Sequence, residues 1–235
     1  MPLQIGGAAI MADEKVEQVI ILAAGKSLQL DGVSKLLVRH PHTGKTILDY
    51  AIEAFSGKHL IVVVGYKAID IMQRYPQLDF VYNPDWALTN NAMSLALALN
   101  DKPTYVLSGD IFVSSNLIQR LEQCTGDIIL TSYREKRSLT AIHCIIDSNG
   151  FVTETYQGPL KSMSHPESVG LFKICTPKYL REWQRRCFLH SNLFAGQLLP
   201  YDFSGIQPVE LENELFFEIN TPADYINLIE ESRTV

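Results

Sequence analysis

The first half of the chain alternates short apolar runs with segments whose apolar residues recur at helical spacing. Residues 16–24 form an apolar run that ends at Gly25, and residues 60–65 read LIVVVG. Short runs rich in β-branched residues are typical of strands that are buried on both faces of a parallel sheet. Residues 46–55, between these runs, have the apolar spacing of an amphipathic helix. The pattern therefore predicts a strand, a helix and a second strand in succession.

The alternation continues as far as residue 125. A helical pattern extends to Arg74 and is followed by predicted strands at 80–82 and 104–107 and predicted helices at 91–99 and 116–123. This order predicts an α/β fold with a doubly wound, mainly parallel sheet. Ligands bind such sheets outside the carboxyl ends of the strands, so functional side chains are expected there.

The pattern changes after Gly126. Strand-like runs follow at 127–133, 139–146, 151–156, 169–174 and 215–219, with helical patterns at 177–187, 191–199 and 222–231. Turn residues such as DSNG at 147–150 separate neighbouring runs, which is typical of antiparallel pairing. Thr221 stands where the last helix needs an N-cap. We therefore expect a mixed sheet with a smaller antiparallel part in the C-terminal half.

No repeat, low-complexity tract or linker divides the chain, and 46% hydrophobic residues in a length of 235 can form a full core. We expect a flexible tail at residues 1–15 and a single domain at 16–235. The change of pattern divides that domain into a first part, 16–125, and a second part, 126–235.

Composition excludes several classes of partner. The net charge of −6 provides no basic surface for nucleic acid or an anionic membrane. No apolar run approaches the roughly 18 residues of a membrane span, and the start of the chain lacks the pattern of a secretion signal. The four cysteines contain no CxxC pair, so neither a zinc cluster nor a disulfide framework is indicated. We expect a reduced, cytoplasmic protein.

The segment ILAAGKSLQLDGVSK, residues 21–35, joins a buried strand to a glycine and a distant lysine. It fails the P-loop pattern, because Ile20 occupies the position of the required earlier glycine, and it fails the dinucleotide fingerprint at Ser27. Small residues after the strand would still let backbone N–H groups approach a triphosphate, and Lys35 could neutralise its α-phosphate. The alternative is a strand that ends in small residues for packing.

Two further strand ends carry oxygen ligands. Asp110 follows a buried strand in LSGD, where a carboxylate is costly unless it is hydrogen-bonded or binds a cation. Glu218 and Asn220 belong to the last predicted strand and would point to the same side of it. Asp110 and Asn220 could therefore share one Mg²⁺ with phosphates and water. Alternatively, Asp110 caps the following helix and Asn220 is a turn residue.

Polar side chains crowd the start of the predicted helix at 91–99. Thr89, Asn90, Asn91 and Ser94 all lie there, although one such side chain suffices as a cap. The others are available to hydrogen-bond a nucleobase, a ribose or an acceptor.

Together these segments resemble the small nucleotidyltransferases of the sugar-nucleotide type, and within them the phosphocholine and phosphonate cytidylyltransferases. The matching pieces keep the family's order from Val16 to Ile229. They are ILAAG with Lys35, GKTILDY at 44–50, VVGY at 63–66, Asn83, Asn90 and Asn91, Ser94 with Leu95, Asp110, SYRE at 132–135, and EIN at 218–220.

The resemblance implies a Rossmann-like nucleotidyltransferase fold that transfers CMP from CTP to a small phosphorylated or phosphonate acceptor, with Mg²⁺ as cofactor. The first part of the domain would bind the nucleotide and the second part the acceptor, and a homodimer is an option. Positioning and charge neutralisation would do most of the catalysis. The alternatives are a sugar-phosphate acceptor, a guanylyl transfer of the molybdenum-cofactor type, and a nucleotide-binding protein without transferase activity.

The resemblance also assigns roles by position in the family motifs. The catalytic residues would be Lys35, Lys26 and Asp110; the nucleotide-binding residues Leu22, Ala23, Ala24, Gly25, Asn83, Asn90 and Ser94; the acceptor-binding residues Asn91, Tyr133, Arg134 and Glu218; and the metal ligands Asp110 and Asn220.

Two positions depart from the family pattern. Gln29 stands where the family has an arginine that grips the β- and γ-phosphates, and a neutral amide makes a contact weaker by roughly half. Lys26 would supply part of the missing charge. Asn220 stands where the family commonly has aspartate, which lowers the expected Mg²⁺ affinity while keeping an oxygen ligand.

The acceptor pocket is the least specified feature. Arg134, Lys136 and Arg137 form a cationic cluster that would suit an acceptor phosphate or, equally, end a solvated hairpin. Aromatic residues could form a cage around a quaternary ammonium group, although packing in the core is the more common use of such residues. The candidates are Tyr133, Tyr156, Trp183, Tyr201, Phe216 and Phe217.

Overall fold

The computed structural model describes residues 15–133, 141–214 and 216–231. Of the predicted tail at 1–15, all but Lys15 lies outside these residues. The strands in the described residues are β1 Gln18–Ala23, β2 His59–Val64, β3 Asp79–Tyr82, β4 Thr104–Ser108, β5 Ile111–Val113, β6 Asp127–Ser132, β7 Ile142–Ile146, β8 Val152–Gln157, β9 Glu167–Ile174, β10 Ile206–Glu210 and β11 Phe216–Glu218. The helices are α1 Ile47–Ala54, α2 Ala68–Arg74, α3 Asn91–Ala98, α4 Ser115–Gln123, α5 Pro177–Leu189 and α6 Pro222–Glu231.

The main sheet has the order β10-β6-β9-β4-β1-β2-β3, with β7 and β8 attached beside β9. The four strands from β4 to β3 are mutually parallel, and β10 is parallel to β6. Strand β9 is antiparallel to both of its neighbours on this path, β4 and β6. The prediction of a mixed, mainly parallel sheet with an antiparallel part in the second half is therefore confirmed.

Strand β1 lies between β2 and β4, and its side chains alternate between two hydrophobic cores. Val19 and Ile21 pack into one core, and Ile20 and Leu22 into the other. A strand covered on both faces needs apolar residues at successive positions, which explains why this segment has no polar alternation. None of the helices in the described residues is long and apolar enough to cross a membrane.

One predicted element is wrong, and two strands were not predicted. The helix predicted at 191–199 is reduced to a 3-10 turn at Ala195–Gln197, because the segment instead hydrogen-bonds to the start of α3. The N–H of Asn90 donates to the carbonyl of Ser191 (2.8 Å).

Strand β10 was missed because Pro208 argues against a strand, yet an edge position tolerates proline. Strand β5 was missed because it has only three residues.

Gly109 brings the end of β4 against the end of β1. Its N–H donates to the carbonyl of Leu22 at 2.9 Å, and a Cβ added at Gly109 would lie 2.6 Å from that oxygen and 2.9 Å from the Cβ of Ala23. Glycine is therefore needed here so that Asp110 can lie beside the carboxyl end of β1.

A small antiparallel sheet of β5 and β11 brings the C-terminal segment to the carboxyl ends of β1 and β4 as well. Ile111 pairs with Glu218, and the N–H of Ile219 donates to the carbonyl of Asp110 at 2.9 Å. Asn220 follows directly, held by the capping of α6: the backbone N–H groups of Asn220 and Thr221 donate to Asp224 at 2.9 and 2.7 Å. The predicted N-cap, Thr221, in turn accepts from the Asp224 N–H at 3.2 Å, which confirms that prediction.

We expect Gly109→Ala to destabilise the fold, because its methyl group would meet backbone that cannot move aside. Overpacking of this kind lowers the free energy of unfolding by about 1–3 kcal/mol. Gly25→Ala is the matched control, since its added Cβ would meet nothing within 4 Å. Urea unfolding of both variants checks the difference, and equal stability of the two would contradict the close approach at Gly109.

Candidate active site

A first cavity of about 430 Å³ opens at the carboxyl ends of β1 and β4. Its lining includes residues 22–29, which are the end of β1 and the start of the loop after it, together with Lys35, Asp110 and Trp86. The residues predicted to bind the nucleotide all line it: Leu22, Ala23, Ala24, Gly25, Asn83, Asn90 and Ser94. The small side chains after β1 leave the loop backbone open to the cavity, as the sequence interpretation required.

A second cavity of about 630 Å³ lies beside the first and shares part of its lining. Lys35, Asp110 and Asn220 line both cavities, as do Asn91 and Phe194. These shared residues form the boundary between the cavities. Away from it, the lining of the second cavity includes three carboxylates, those of Glu167, Glu218 and Asp224. Two ligands could therefore bind side by side and meet at Lys35.

Lys35, Asp110 and Asn220 form a hydrogen-bonded group at the boundary between the cavities. The Nζ of Lys35 donates to Oδ2 of Asp110 at 2.8 Å and to Oδ1 of Asn220. The Nδ2 of Asn220 donates to Oε1 of Glu218 at 2.6 Å. The structure therefore brings together both predicted metal ligands, one of the two predicted catalytic lysines and one predicted acceptor-binding residue.

One oxygen of Asp110 is buried without a hydrogen-bond partner in the described residues. This atom is Oδ1, since Oδ2 accepts from Lys35. An unsatisfied buried carboxylate oxygen is costly, and such atoms mark places where an ion or water binds. Asp110 does not cap α4, because Ser114 does so by accepting from the Leu117 N–H at 3.3 Å. The alternative role proposed for Asp110 from sequence is therefore wrong.

The oxygen donors at this edge fit a hard divalent cation. Asp110 offers a free carboxylate oxygen and Asn220 an amide oxygen. No group of three or more His, Cys, Asp or Glu side chains arranged for a metal occurs among the residues the structure describes. A site with so few protein ligands suits Mg²⁺, which usually keeps several waters and takes phosphate oxygens as well.

Glu218 has a perturbed carboxyl group. Burial in the cleft, followed by the negative charge of Asp110, raises the pKa of Glu218 to about 7. Part of the side chain still faces water in the second cavity, so the group remains accessible to a ligand. A cation bound nearby would favour the carboxylate and lower this pKa.

The polar residues around α3 are committed to contacts within the protein. Asn83 is buried, and its Nδ2 donates to Oγ of Ser94 at 3.1 Å. Oδ1 of Asn90 accepts from the Asn91 N–H at 2.7 Å, and Oδ1 of Asn91 accepts from the Ala195 N–H at 2.7 Å. Asn90, Asn91 and Ser94 therefore each make a contact within the protein, and each also lines the first cavity. Their predicted roles in binding stay predictions.

Of the acceptor-binding residues predicted from SYRE, the structure describes only Tyr133, and Tyr133 does not line the second cavity. Tyr133 lines a separate cavity with Glu210 and Phe217, and the cluster at Arg134, Lys136 and Arg137 lies outside the described residues. None of the six aromatic residues considered for an ammonium cage lines the second cavity, whose aromatic side chains are Phe172 and Phe194. Trp183, Tyr201 and Phe216 are instead buried in the two cores, because packing takes most aromatic residues.

Sequence interpretation missed several residues that line the cavities. Phe194 lies at the boundary but belongs to the segment misassigned as a helix. Trp86 carried a usable signal, since a lone tryptophan in the polar stretch NPDWALTNN lies beside the predicted nucleotide residues. Glu167 and Asp224 gave no signal, because nothing in their local sequence distinguishes them from surface acids.

Solved structures with the same fold include several nucleotidyltransferases. The CTP:phosphocholine cytidylyltransferase from Streptococcus pneumoniae matches with a TM-score of 0.75 at 20% identity, over 92% of this chain and 99% of that chain. The inositol-1-phosphate CTP transferase from T. maritima has a TM-score of 0.62 at 16% identity, over 94% and 98% of the two chains. A putative glucose-1-phosphate thymidylyltransferase from Bacillus anthracis has 0.70 at 13%, over 94% and 96%.

A comparison with curated proteins finds no match to this sequence. A family model described as a MobA-like NTP transferase domain matches residues 19–218, which include the loop after β1, Lys35, Asp110 and Glu218. This range covers most of the chain and almost the whole of both cavities. The protein therefore belongs to the MobA-like NTP transferase family.

Proposed function

We propose that the protein transfers CMP from CTP to a small phosphate or phosphonate that carries an ammonium group, with Mg²⁺ as cofactor. The observation that carries this proposal is the pair of adjoining cavities that meet at Lys35, Asp110 and Asn220. Nucleotidyl transfer is the chemistry of the family, and the choice of CTP is supported by similarity to two cytidylyl-transferring proteins.

The proposed reaction is an in-line displacement at phosphorus. An oxygen of the acceptor's phosphate or phosphonate attacks the α-phosphorus of CTP and forms a new P–O bond. The bond from the α-phosphorus to the oxygen that bridges to the β-phosphate breaks, that oxygen keeps the electron pair, and pyrophosphate leaves. Because the acceptor is already an oxyanion, the protein mainly positions the two ligands and neutralises charge.

Lys35 is the proposed electrostatic catalyst, because it lies on the boundary that the α-phosphate would occupy. A fixed cation at that point lowers the free energy of the transition state, in which negative charge spreads over the phosphoryl oxygens. Asp110 Oδ1 and Asn220 would hold Mg²⁺, which supplies charge neutralisation for the triphosphate, while Asp110 Oδ2 keeps Lys35 in place.

The second cavity favours an acceptor with a primary ammonium group. Its carboxylates, on Glu167, Glu218 and Asp224, can accept N–H hydrogen bonds, which a trimethylammonium group cannot donate. A quaternary ammonium is better served by aromatic faces, and Phe172 and Phe194 are the aromatic residues in this lining. We therefore place 2-aminoethylphosphonate and phosphoethanolamine ahead of phosphocholine as acceptors.

A screen of the four NTPs against an acceptor panel, read out as pyrophosphate release with Mg²⁺, tests the proposal. The expected result is turnover with CTP and 2-aminoethylphosphonate or phosphoethanolamine, with kcat/KM about tenfold lower for phosphocholine. Turnover with glucose 1-phosphate as the preferred acceptor would contradict the proposed acceptor, and turnover only with an NTP other than CTP would contradict the proposed nucleotide. If NTP raises the melting temperature but no pair turns over, the protein binds nucleotide without transferring it.

We expect Lys35→Met to lower kcat by about 10²- to 10³-fold, because it removes a preorganised cation from the reacting centre. Lys45→Met is the matched control, since Lys45 pairs with Glu53 on the surface and lines neither cavity. Steady-state kinetics on the best substrate pair measures the difference. Equal activity of the two variants would remove Lys35 from the mechanism.

Asn220→Asp should make the protein's stability depend more strongly on Mg²⁺. The new carboxylate would lose the hydrogen bond that Asn220 donates to Glu218 and would add a negative charge beside Glu218 and Asp110. The single charge of Lys35, which is shared with Asp110, offsets only part of this repulsion, so without metal we expect a lower melting temperature. With Mg²⁺ the added anion should lower the half-saturating metal concentration. Thermal melts in EDTA and across a Mg²⁺ titration check both effects, and Asn220→Asp combined with Glu218→Gln should relieve the loss in EDTA. A variant that melts like wild type under both conditions would argue against Asn220 as a ligand.

A further inference from the structure

The first cavity has an unusual distribution of positive charge. Its lining among the described residues contains two lysines, Lys26 and Lys35. The same lining contains Gln29, at the position where the resemblance described above implies an arginine. Lys35 is already bonded to Asp110 and Asn220. Lys26 makes no ion pair within the described part of the chain, so its charge, unlike that of Lys35, is not already balanced by a protein carboxylate.

Lys26 lies over an aromatic ring beside the cavity. Its Nζ is 5.5 Å from the centroid of the Tyr66 ring, a distance at which a cation is attracted to the ring face. The N–H of Tyr66 donates to the carbonyl of Ala24 at 2.9 Å, which fixes Tyr66 against the loop that carries Lys26. The Tyr66 ring also packs against Trp86, with centroids 5.3 Å apart, and Trp86 itself lines the cavity.

Two glycines permit this close packing. Gly32 has a φ of +72°, and a Cβ there would lie 2.8 Å from the Tyr66 hydroxyl and 3.6 Å from Cε of Lys26. At Gly65 a Cβ would lie 2.5 Å from Cβ of Trp86. Gly32 therefore lets the loop after β1 pack against the end of the Tyr66 side chain, and Gly65 lets Trp86 pack against the backbone beside Tyr66.

We infer that Lys26 binds the β- and γ-phosphates in place of the missing arginine, and that Tyr66 is the residue that positions Lys26 for this contact. The inference rests on nucleotidyl transfer in this same site. A lysine loses considerable side-chain entropy when it is fixed on a ligand, and it lacks the planar fork of arginine. An aromatic support that restricts the side chain before binding reduces this loss, so the ring improves a lysine more than it would improve an arginine.

Lys67 provides a matched control. Its Nζ lies 5.7 Å from the centroid of the same Tyr66 ring, but the residue lines neither cavity. Lys26→Met and Lys67→Met therefore remove the same charge from the same ring, once inside the proposed phosphate site and once outside it.

The test is calorimetric binding of pyrophosphate and of CMP, with Mg²⁺, to wild type, Lys26→Met, Lys67→Met, Tyr66→Leu and Tyr66→Phe. We expect Lys26→Met to weaken pyrophosphate binding about tenfold and leave CMP binding unchanged, since CMP lacks the β- and γ-phosphates. Tyr66→Leu should weaken pyrophosphate binding about threefold. Tyr66→Phe, which keeps the ring, and Lys67→Met should both bind pyrophosphate like wild type.

The double variant Lys26→Met with Tyr66→Leu separates positioning from a structural role. If Tyr66 acts through Lys26, the leucine has no further effect once the lysine is gone. A further threefold loss in the double variant, or equal losses for Lys26→Met and Lys67→Met, would overturn the inference. Should Tyr66→Leu unfold, Tyr66→Met removes the ring in its place, with the same expected results alone and combined with Lys26→Met. Pyrophosphate binding involves neither base nor acceptor, so a wrong choice of CTP or acceptor would not affect this result.

Discussion

The contact between Lys35 and Asp110, extended to Asn220, is the constraint on which the architecture of the site depends. Asp110 and Asn220 lie 75 and 185 residues after Lys35 along the chain, so no local structure can bring the three together. The parallel pairing of β1 with β4 aligns two strand ends, Gly109 lets those ends touch, and the β5–β11 sheet returns the C-terminal segment to the same edge. Each of these features places one member of the group.

The same group accounts for the chemistry of the site. It leaves one carboxylate oxygen of Asp110 without a partner among the described residues, which costs stability. Beside it, burial, followed by the charge of Asp110, raises the pKa of Glu218 to about 7. Groups that are unfavourable without ligand and favourable beside a cation or phosphate are typical of functional sites. The position of the group on the boundary of two cavities gives a physical reason for transfer between two ligands, which a single pocket would not.

Much of the fold was predictable because burial on both faces leaves a clear pattern, as in β1 and β2. Asp110 and Asn220 were predictable because polar residues at the ends of buried strands are rare and costly. The segment 191–199 was not, since its helical spacing is overridden by hydrogen bonds to α3 that depend on tertiary structure. The aromatic residues that line the second cavity were not predictable for a related reason. Sequence identifies Trp183 and Tyr201 as large apolar side chains, but only the packing decides whether they line a cavity or, as here, fill a core.

The central claim, that an acceptor oxygen attacks the α-phosphorus across the boundary of the two cavities, can be tested by isotope transfer. CTP would be incubated with Mg²⁺, the protein and 2-aminoethylphosphonate labelled with ¹⁸O in its phosphonate oxygens, and the products analysed by mass spectrometry. The expected result is a cytidylylated phosphonate that retains all of the label, together with unlabelled pyrophosphate. Label in the pyrophosphate, or CMP formed by hydrolysis without any cytidylylated product, would contradict the claim.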